Sequence, residues 1–169
     1  MSALTRRTVL AGAFGAALAG AAPASAAPDE HAVIVDLWRR EASAELAYRA
    51  QRGALPHAET LQAHCGMHVS VLSTSLGAMG IDFPPHPRGV ADLDPAARAL
   101  ATASRDNAAA AAVALERRLV AAYRAALPAP KELKLAVALA TILASHAQHE
   151  LTLRADHGER PLPEPQGAG

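Results

Sequence analysis

The chain has 169 residues, with 16 lysines and arginines balanced by 16 aspartates and glutamates, eight histidines and one cysteine. This balance and a pI near 7.1 argue against a protein that binds nucleic acid or anionic membranes, because such proteins concentrate basic residues on one face. Apolar residues make up 51% of the chain and aromatic residues only 3%, so the abundance of Ala and Leu favours helices over disorder. A single cysteine excludes an internal disulfide and cysteine-rich zinc sites.

The N-terminal segment, residues 1–26, has the pattern of an export signal. Arg6 and Arg7 precede a weakly apolar run over residues 10–22, and residues 24–26 form an A-x-A cleavage site. This pattern resembles a twin-arginine (Tat-type) signal, which implies the Tat translocase as a partner during export and a periplasmic or extracellular location. The apolar run has about 13 residues, fewer than the roughly 18–20 needed to cross a bilayer, so we expect no stable membrane anchor.

Proline and glycine divide the rest of the chain into four predicted helices. They span residues 29–52, 56–79, 95–127 and 130–157. The third segment is long, and residues 104–107 are a candidate kink or break within it. We therefore predict an all-α four-helix bundle over residues 27–158, followed by a proline-rich disordered tail over residues 159–169.

The connections between the predicted helices indicate how the bundle is wound. The first and last connections are only a few residues long, so each joins two helices into an antiparallel hairpin. The middle connection, residues 80–94, can reach about 50 Å when extended, whereas a helix of about 24 residues is about 36 Å long. It can therefore cross over the bundle and leave the second and third helices parallel. A loose loop between antiparallel helices is the alternative.

The predicted inward face of the second helix contains Leu61, His64, His68, Val71 and Ser75, and that of the fourth contains Leu135, Leu139, Ile142, His146, His149 and Leu153. Two glutamates and four histidines fall on the inward faces of the four helices, where apolar residues are expected. They are Glu41, His64, His68, Glu116, His146 and His149. A lone buried carboxylate costs several kcal/mol unless it is paired or bound to a metal, so one interpretation is a metal site in the bundle core. In the other, the faces are rotated by one residue, which leaves the glutamates in surface salt bridges and the histidines partly exposed.

The distance of each residue from its turn predicts which side chains meet. Glu41 and His68 lie at the same level of the first predicted hairpin. In the second hairpin, His146 and His149 are offset from Glu116 by roughly 6 and 10 Å, at about 1.5 Å per residue. The first hairpin thus predicts a coherent half-site, which the second does not obviously complete.

A weak internal repeat relates the two hairpins. Glu41 and Tyr48 in the first helix have the same spacing as Glu116 and Tyr123 in the third, and both tyrosines lie within the sequence Ala-Tyr-Arg-Ala. This spacing is close to two helical turns, so each Glu and its Tyr share one helix face.

Taken together, these features resemble the ferritin-like superfamily, and most closely its exported members of uncharacterised function. The resemblance covers residues 29–157. It rests mainly on Glu41 with Tyr48 and on the Gly-Ala-x-Gly-x-x-x-Pro-Pro pattern of residues 77–85.

This resemblance implies a ligand set. Members with a di-iron centre place Glu on the first and third helices and Glu-x-x-His on the second and fourth. By that pattern Glu41 and Glu116 correspond to the lone carboxylates, and His68 and His149 correspond to the imidazoles. Cys65 and His146 stand at the positions of the two bridging carboxylates, which argues against ferroxidase activity and iron storage.

The sequence therefore leads to two hypotheses. The first is an exported bundle that binds zinc, copper or iron in its core, where the many histidines favour zinc or copper. A variant uses the segment 64–68 for copper(I), although Cys65 and Met67 are more often simple core residues. The second is a non-enzymatic structural or interaction bundle with a degenerate metal site, whose Ala-rich faces would allow a homodimer. Burial of Glu41 and Glu116 distinguishes the two.

Overall fold

The computed structural model describes residues 29–159, which contain α-helices and no strand. The helices are α1 (Glu30–Ala50), α2 (Ala58–Ala78), α3 (Pro95–Ala101), α4 (Arg105–Ala126) and α5 (Leu133–Asp156), with a short 3₁₀ helix at Val90–Asp92. The export signal expected over residues 1–26 lies outside the described residues, as does all but the first residue of the expected tail. Both stay predictions.

The helix boundaries follow local capping. Asp94 accepts hydrogen bonds from the backbone N–H groups of Ala96 and Ala97, and Pro95 occupies the first turn of α3. The long third predicted helix is broken, as the candidate break at residues 104–107 indicated, because α3 ends at Ala101 and α4 begins at Arg105.

Hydrogen bonds between helices define the topology. The Tyr48 hydroxyl on α1 bonds Glu116 on α4, and the Tyr123 hydroxyl on α4 bonds Glu41 on α1, so these two helices are antiparallel. Since α1 is also antiparallel to α2 within its hairpin, α2 and α4 run parallel. This confirms the crossover and excludes a loop between antiparallel helices.

The crossover, residues 79–94, lies along α1. It begins where Gly80 takes a positive φ of 70° after the end of α2, a conformation that glycine adopts without strain. His86 then packs edge-on against the ring of Trp38, and the backbone N–H of Asp94 lies 3.5 Å from the Ser43 hydroxyl oxygen. The connection therefore runs alongside α1 as far as Ser43 before α3 begins.

Two apolar clusters fill the described core. One contains Tyr48, Leu61, Cys65, Leu100 and Leu115, and the other contains Ile34, Trp38, Leu72, Tyr123 and Leu139. Glu41 and Glu116 are fully buried polar residues that lie where the two apolar clusters meet. Among residues 29–159, no helix is long and apolar enough to cross a membrane.

The buried face of α5 matches the sequence, whereas that of α2 departs from it. All six residues predicted to face inward on α5, including His146 and His149, are buried. On α2 the predicted face is wrong beyond His68, because Val71 is 41% exposed whereas Leu72 and Leu76 are buried. A straight helix has 3.6 residues per turn, so an inward face extrapolated over several turns drifts away from its partner.

Candidate metal centre

The two core carboxylates come from the two hairpins. Glu41 on α1 and Glu116 on α4 each have no exposed surface. Each accepts a hydrogen bond from a tyrosine of the opposite hairpin, at 2.7 Å from Tyr123 to Glu41 and at 2.5 Å from Tyr48 to Glu116. The two copies of the Glu and Tyr repeat thus bond each other reciprocally. The sequence alone indicates no role for these two hydroxyl groups.

His146 lies between the two carboxylates. Its Nε2 is 2.6 Å from Glu41 Oε1 and its Nδ1 is 2.8 Å from Glu116 Oε2. A carboxylate only accepts hydrogen bonds, so both contacts are satisfied when both ring nitrogens carry a proton, which makes the imidazole cationic.

Electrostatics support this charge distribution. Burial lowers the pKa of His146, but the charges of Glu41 and Glu116 and the hydrogen bonds to them outweigh burial and raise it to about 10. Burial raises the pKa of Glu41, whereas the positive charge and hydrogen bonds of His146, followed by those of His68, lower it to about 2. The pKa of Glu116 is also lowered, against the effect of burial, by the hydrogen bond and charge of His146 and by the nearby ring of His149.

Two more histidines lie next to the carboxylates. His68 Nδ1 is 3.3 Å from Glu41 Oε2, and His149 Nδ1 is 3.6 Å from Glu116 Oε1. We call Glu41, His68, Glu116, His146 and His149 the buried centre. It contains two trios of potential ligands, Glu41 with His68 and His146, and Glu116 with His146 and His149. In each trio, one ligand atom per residue lies within 4.8 Å of the others.

One ring nitrogen of the buried centre lacks a partner. His149 Nδ1 is buried without a hydrogen bond, although the Nε2 of the same ring lies 2.8 Å from His64 Nδ1 and 3.3 Å from the Ser145 hydroxyl. Most buried polar atoms are satisfied, so a nitrogen without a partner beside a carboxylate indicates a ligand position.

His64, also predicted as a metal ligand, lies at the edge of the centre. Its ring is partly exposed and stacks on that of His149, with 5.0 Å between ring centroids, and it belongs to neither trio. The residues next to it in sequence diverge, because Cys65 is fully buried whereas Met67 is 57% exposed. The 64–68 segment therefore does not gather its sulfur and nitrogen atoms at one point, and Met67 is not a core residue.

Cys65 lies beside the carboxylates. Burial raises the pKa of its thiol well above the ordinary value, and the negative charges of Glu41 and Glu116 raise it further. The thiol is therefore neutral, and its acidity is suppressed as long as the carboxylates keep their charge.

The predicted gap in the second hairpin is wrong, because His146 contacts Glu116 directly. Side chains on a helix lean towards its N-terminus. Glu116 precedes the α4–α5 turn and therefore leans away from it, whereas His146 follows the turn and leans towards it. The two inclinations close the offset of roughly 6 Å that spacing along the axis implies.

Comparison with known proteins identifies the family. The family model of the ferritin-like domain matches residues 11–159. The chain belongs to this family. No curated protein matches it. A crystal structure of a conserved hypothetical protein from Mycobacterium tuberculosis is similar, with 17% identity and a TM-score of 0.65, over 82% of this chain and 96% of that chain. At this identity the likeness shows the fold alone.

The ligand pattern of this ferritin-like domain differs from that of the di-iron members. The second and fourth helices of a di-iron bundle each carry Glu-x-x-His, whereas here α2 has Cys65 before His68 and α5 has His146 before His149. A thiol and an imidazole thus replace two carboxylates. The buried Glu and His groups could hold a metal ion, with fewer negative charges than a di-iron site has.

Proposed function

We propose that this protein is an exported ferritin-like bundle that binds a transition-metal ion in its buried centre. The observation that carries the proposal is the convergence of two buried glutamates and three buried histidines, which form two trios of ligand atoms. Carboxylates and histidines are rarely buried together at this density unless charge is compensated.

The donor set fits a transition metal. Imidazole nitrogens suit zinc, copper and iron, and His149 Nδ1 is a buried nitrogen without a hydrogen bond. Glu41 with His68, and Glu116 with His149, would supply the first ligands, and the tyrosine hydroxyls would orient the carboxylates. A zinc ion would supply Lewis acidity, and copper or iron would supply one-electron redox chemistry. The reduced number of carboxylates supports zinc or copper rather than a di-iron pair.

Export is part of the proposal. It is supported by the twin-arginine pattern at Arg6 and Arg7, the short apolar run after them and the A-x-A site at residues 24–26. Fusion of residues 1–26 to a reporter that is active only after export tests it. We expect export from the natural sequence and none when both arginines are replaced by lysine. Export of the double-lysine variant by the same route would contradict a Tat-type signal.

Metal binding is tested by elemental analysis of residues 27–169, purified after export without a histidine tag. We expect at least one equivalent of zinc, copper or iron per chain in the natural protein. The double variant Glu41→Ala/His68→Ala should lose the metal of its trio, because it removes two of three ligands.

The matched control is Glu59→Ala/His31→Ala. It removes the same two residue types from exposed positions on α2 and α1, so its metal content should equal that of the natural protein. No metal in the natural protein after reconstitution with each of the three metals separately would refute the proposed function.

One observation favours a second candidate, a structural bundle without a metal. His146 contacts both carboxylates, so its single cationic imidazole offsets part of their charge. In that case the natural protein would remain metal-free after reconstitution, and the buried centre would act only to fix the register of the two hairpins.

A further inference from the structure

Resting on the proposed function, we infer that His146 is a bridging ligand that joins two metal positions, one at each of its ring nitrogens. The Nε2 atom faces Glu41 and the Nδ1 atom faces Glu116, so the two trios share one residue but use opposite edges of its ring.

The shape of the imidazole ring separates the two positions. Its nitrogens are in a 1,3 relationship, and their lone pairs diverge, so one ion cannot bind both of them. An ion in the trio of Glu41 and His68 would use Nε2, and an ion in the trio of Glu116 and His149 would use Nδ1. The two trios are therefore two separate positions.

The internal repeat supports two equivalent positions. Each hairpin supplies one glutamate and one histidine to its own trio, Glu41 with His68 and Glu116 with His149. The third member of both trios is His146, which has no histidine counterpart at the related position in α2, where Cys65 stands. A single imidazole between two half-sites is what a bridging ligand requires.

The protons balance in this arrangement. Without metal, the two N–H groups of His146 donate to Glu41 and Glu116. Binding of one divalent ion at each nitrogen replaces these two protons, which leave to solvent, and the ring becomes an imidazolate. No electron is transferred and no further reactant is needed. Two carboxylates and one imidazolate then offset three of the four positive charges.

The test uses copper(II) as the probe, since two copper(II) ions bridged by an imidazolate are magnetically coupled. The protein carries Cys65→Ser throughout, because a thiol beside the centre would reduce copper(II). We expect two equivalents of copper per chain and an electron paramagnetic resonance signal that integrates to well below two spins. His31→Gln, at an exposed position on α1, is the matched control and should give the same result.

The variant His146→Gln removes the bridge. Its remaining copper should give an uncoupled signal that integrates to the full number of bound ions. Because His146→Gln also destabilises the fold, Glu41→Gln and Glu116→Gln provide a second measurement, each keeping an oxygen acceptor for its tyrosine. Each should lower the copper content from two equivalents to one and restore a full one-spin signal.

The outcomes separate the two proposals. One equivalent with a full signal in the His146-containing protein would overturn the bridge and leave the proposed metal site intact. Two equivalents without magnetic coupling would also overturn the bridge. No bound copper, together with no bound zinc or iron, would overturn the proposed function itself.

Discussion

The packing of the buried centre depends on the positive charge of the His146 side chain. It hydrogen-bonds both Glu41 and Glu116, and all three side chains have no exposed surface. Removing one member of a buried ion network usually costs more than the pairing contributes, because the remaining charges stay desolvated. A neutral substitution of His146 should therefore have a large effect on stability.

We expect His146→Gln to destabilise the chelator-treated protein by about 3–5 kcal/mol at neutral pH, because two buried carboxylates lose their cation. Denaturant unfolding followed by circular dichroism measures the loss. The control His31→Gln, on the exposed part of α1, should change the free energy of unfolding by less than about 0.5 kcal/mol. Equal stability of His146→Gln and the natural protein would show that the imidazole carries no charge in the folded state.

The same network predicts a pH dependence. The pKa of His146 is raised from 6.5 to about 10 in the folded state. Its contribution to folding stability is therefore complete below pH 6.5 and is lost as the pH rises towards 10. The pKa of Glu41 is lowered from 4.5 to about 2, so its contribution is complete above pH 4.5 and is lost as the pH falls towards 2. Both contributions are complete between pH 4.5 and 6.5.

Thermal unfolding of the chelator-treated protein from pH 2 to pH 10 measures this dependence. We expect the difference in stability between the natural protein and His146→Gln to decrease from pH 6.5 to pH 10. A difference that is constant over this alkaline range would contradict the raised pKa.

The reciprocal tyrosines give a symmetrical prediction. Tyr48→Phe and Tyr123→Phe each remove one hydrogen bond to a charged acceptor and leave the ring packing intact. Each should lower the free energy of unfolding by about 1.5–3 kcal/mol. Chemical denaturation of both variants checks the prediction, and a large loss in one with none in the other would show that the two halves of the centre are not equivalent.

At the scale of elements, the junction between α3 and α4 depends on one side chain at the C-terminal end of α1. Gln51 is buried, and its Nε2 donates to the backbone oxygens of Leu100, at 2.8 Å, and Ala103, at 3.1 Å. These carbonyls lie at and just after the end of α3, where the regular hydrogen bonds of the helix stop, although the Leu100 oxygen also accepts from the backbone N–H of Ala103. The hydrogen bonds of Gln51 therefore hold the junction between α3 and α4 against the C-terminal end of α1.

We expect Gln51→Ala to lower the free energy of unfolding by about 1–3 kcal/mol, because it removes the side-chain donor that two buried or partly buried carbonyl oxygens share. Hydrogen exchange should show the loss of protection concentrated in α3. The control is Gln62→Ala, whose side chain bonds Arg52 near the surface and should have little effect. Unchanged protection in α3 would show that the junction is held by its apolar contacts instead.

The sequence predicts the elements better than it predicts their exact faces. Proline and glycine positions give the helices, and Ser104 to Asn107 give the break, because capping and turn formation are local. Local patterns do not report the rotation of one helix against another, so they wrongly predict that Val71 faces inward. They also omit the inclination of side chains, which brings His146 to Glu116.

At the scale of the whole molecule, the buried centre connects both hairpins, so a bound metal should stabilise all of the bundle. Zinc at a free concentration of 100 times its Kd contributes about 2.7 kcal/mol, which raises the Tm by roughly 10 °C. Differential scanning calorimetry with and without zinc measures the shift. The variant Glu41→Gln/Glu116→Gln should show a much smaller shift, and an equal shift would place the zinc elsewhere.

The overall winding could be predicted only in part. The length of residues 80–94 permits a crossover but does not require it, because the same segment could also form a loose loop. Whether a crossover or a loose loop forms depends on contacts between residues that are far apart in sequence. These contacts join Tyr48 to Glu116 and Tyr123 to Glu41. The repeat of Glu and Tyr was visible in the sequence, whereas its reciprocal pairing required the fold.

That reciprocal pairing has a consequence for the origin of the chain. Neither hairpin satisfies its own carboxylate, since each glutamate takes its tyrosine hydroxyl from the other hairpin. Two identical hairpins related by a two-fold axis would make the same pair of bonds. The arrangement is therefore what gene duplication and fusion of a self-associating hairpin would leave, with residues 79–94 as the added tether. Two fragments separated within that tether carry complementary halves of one core and are expected to reassemble.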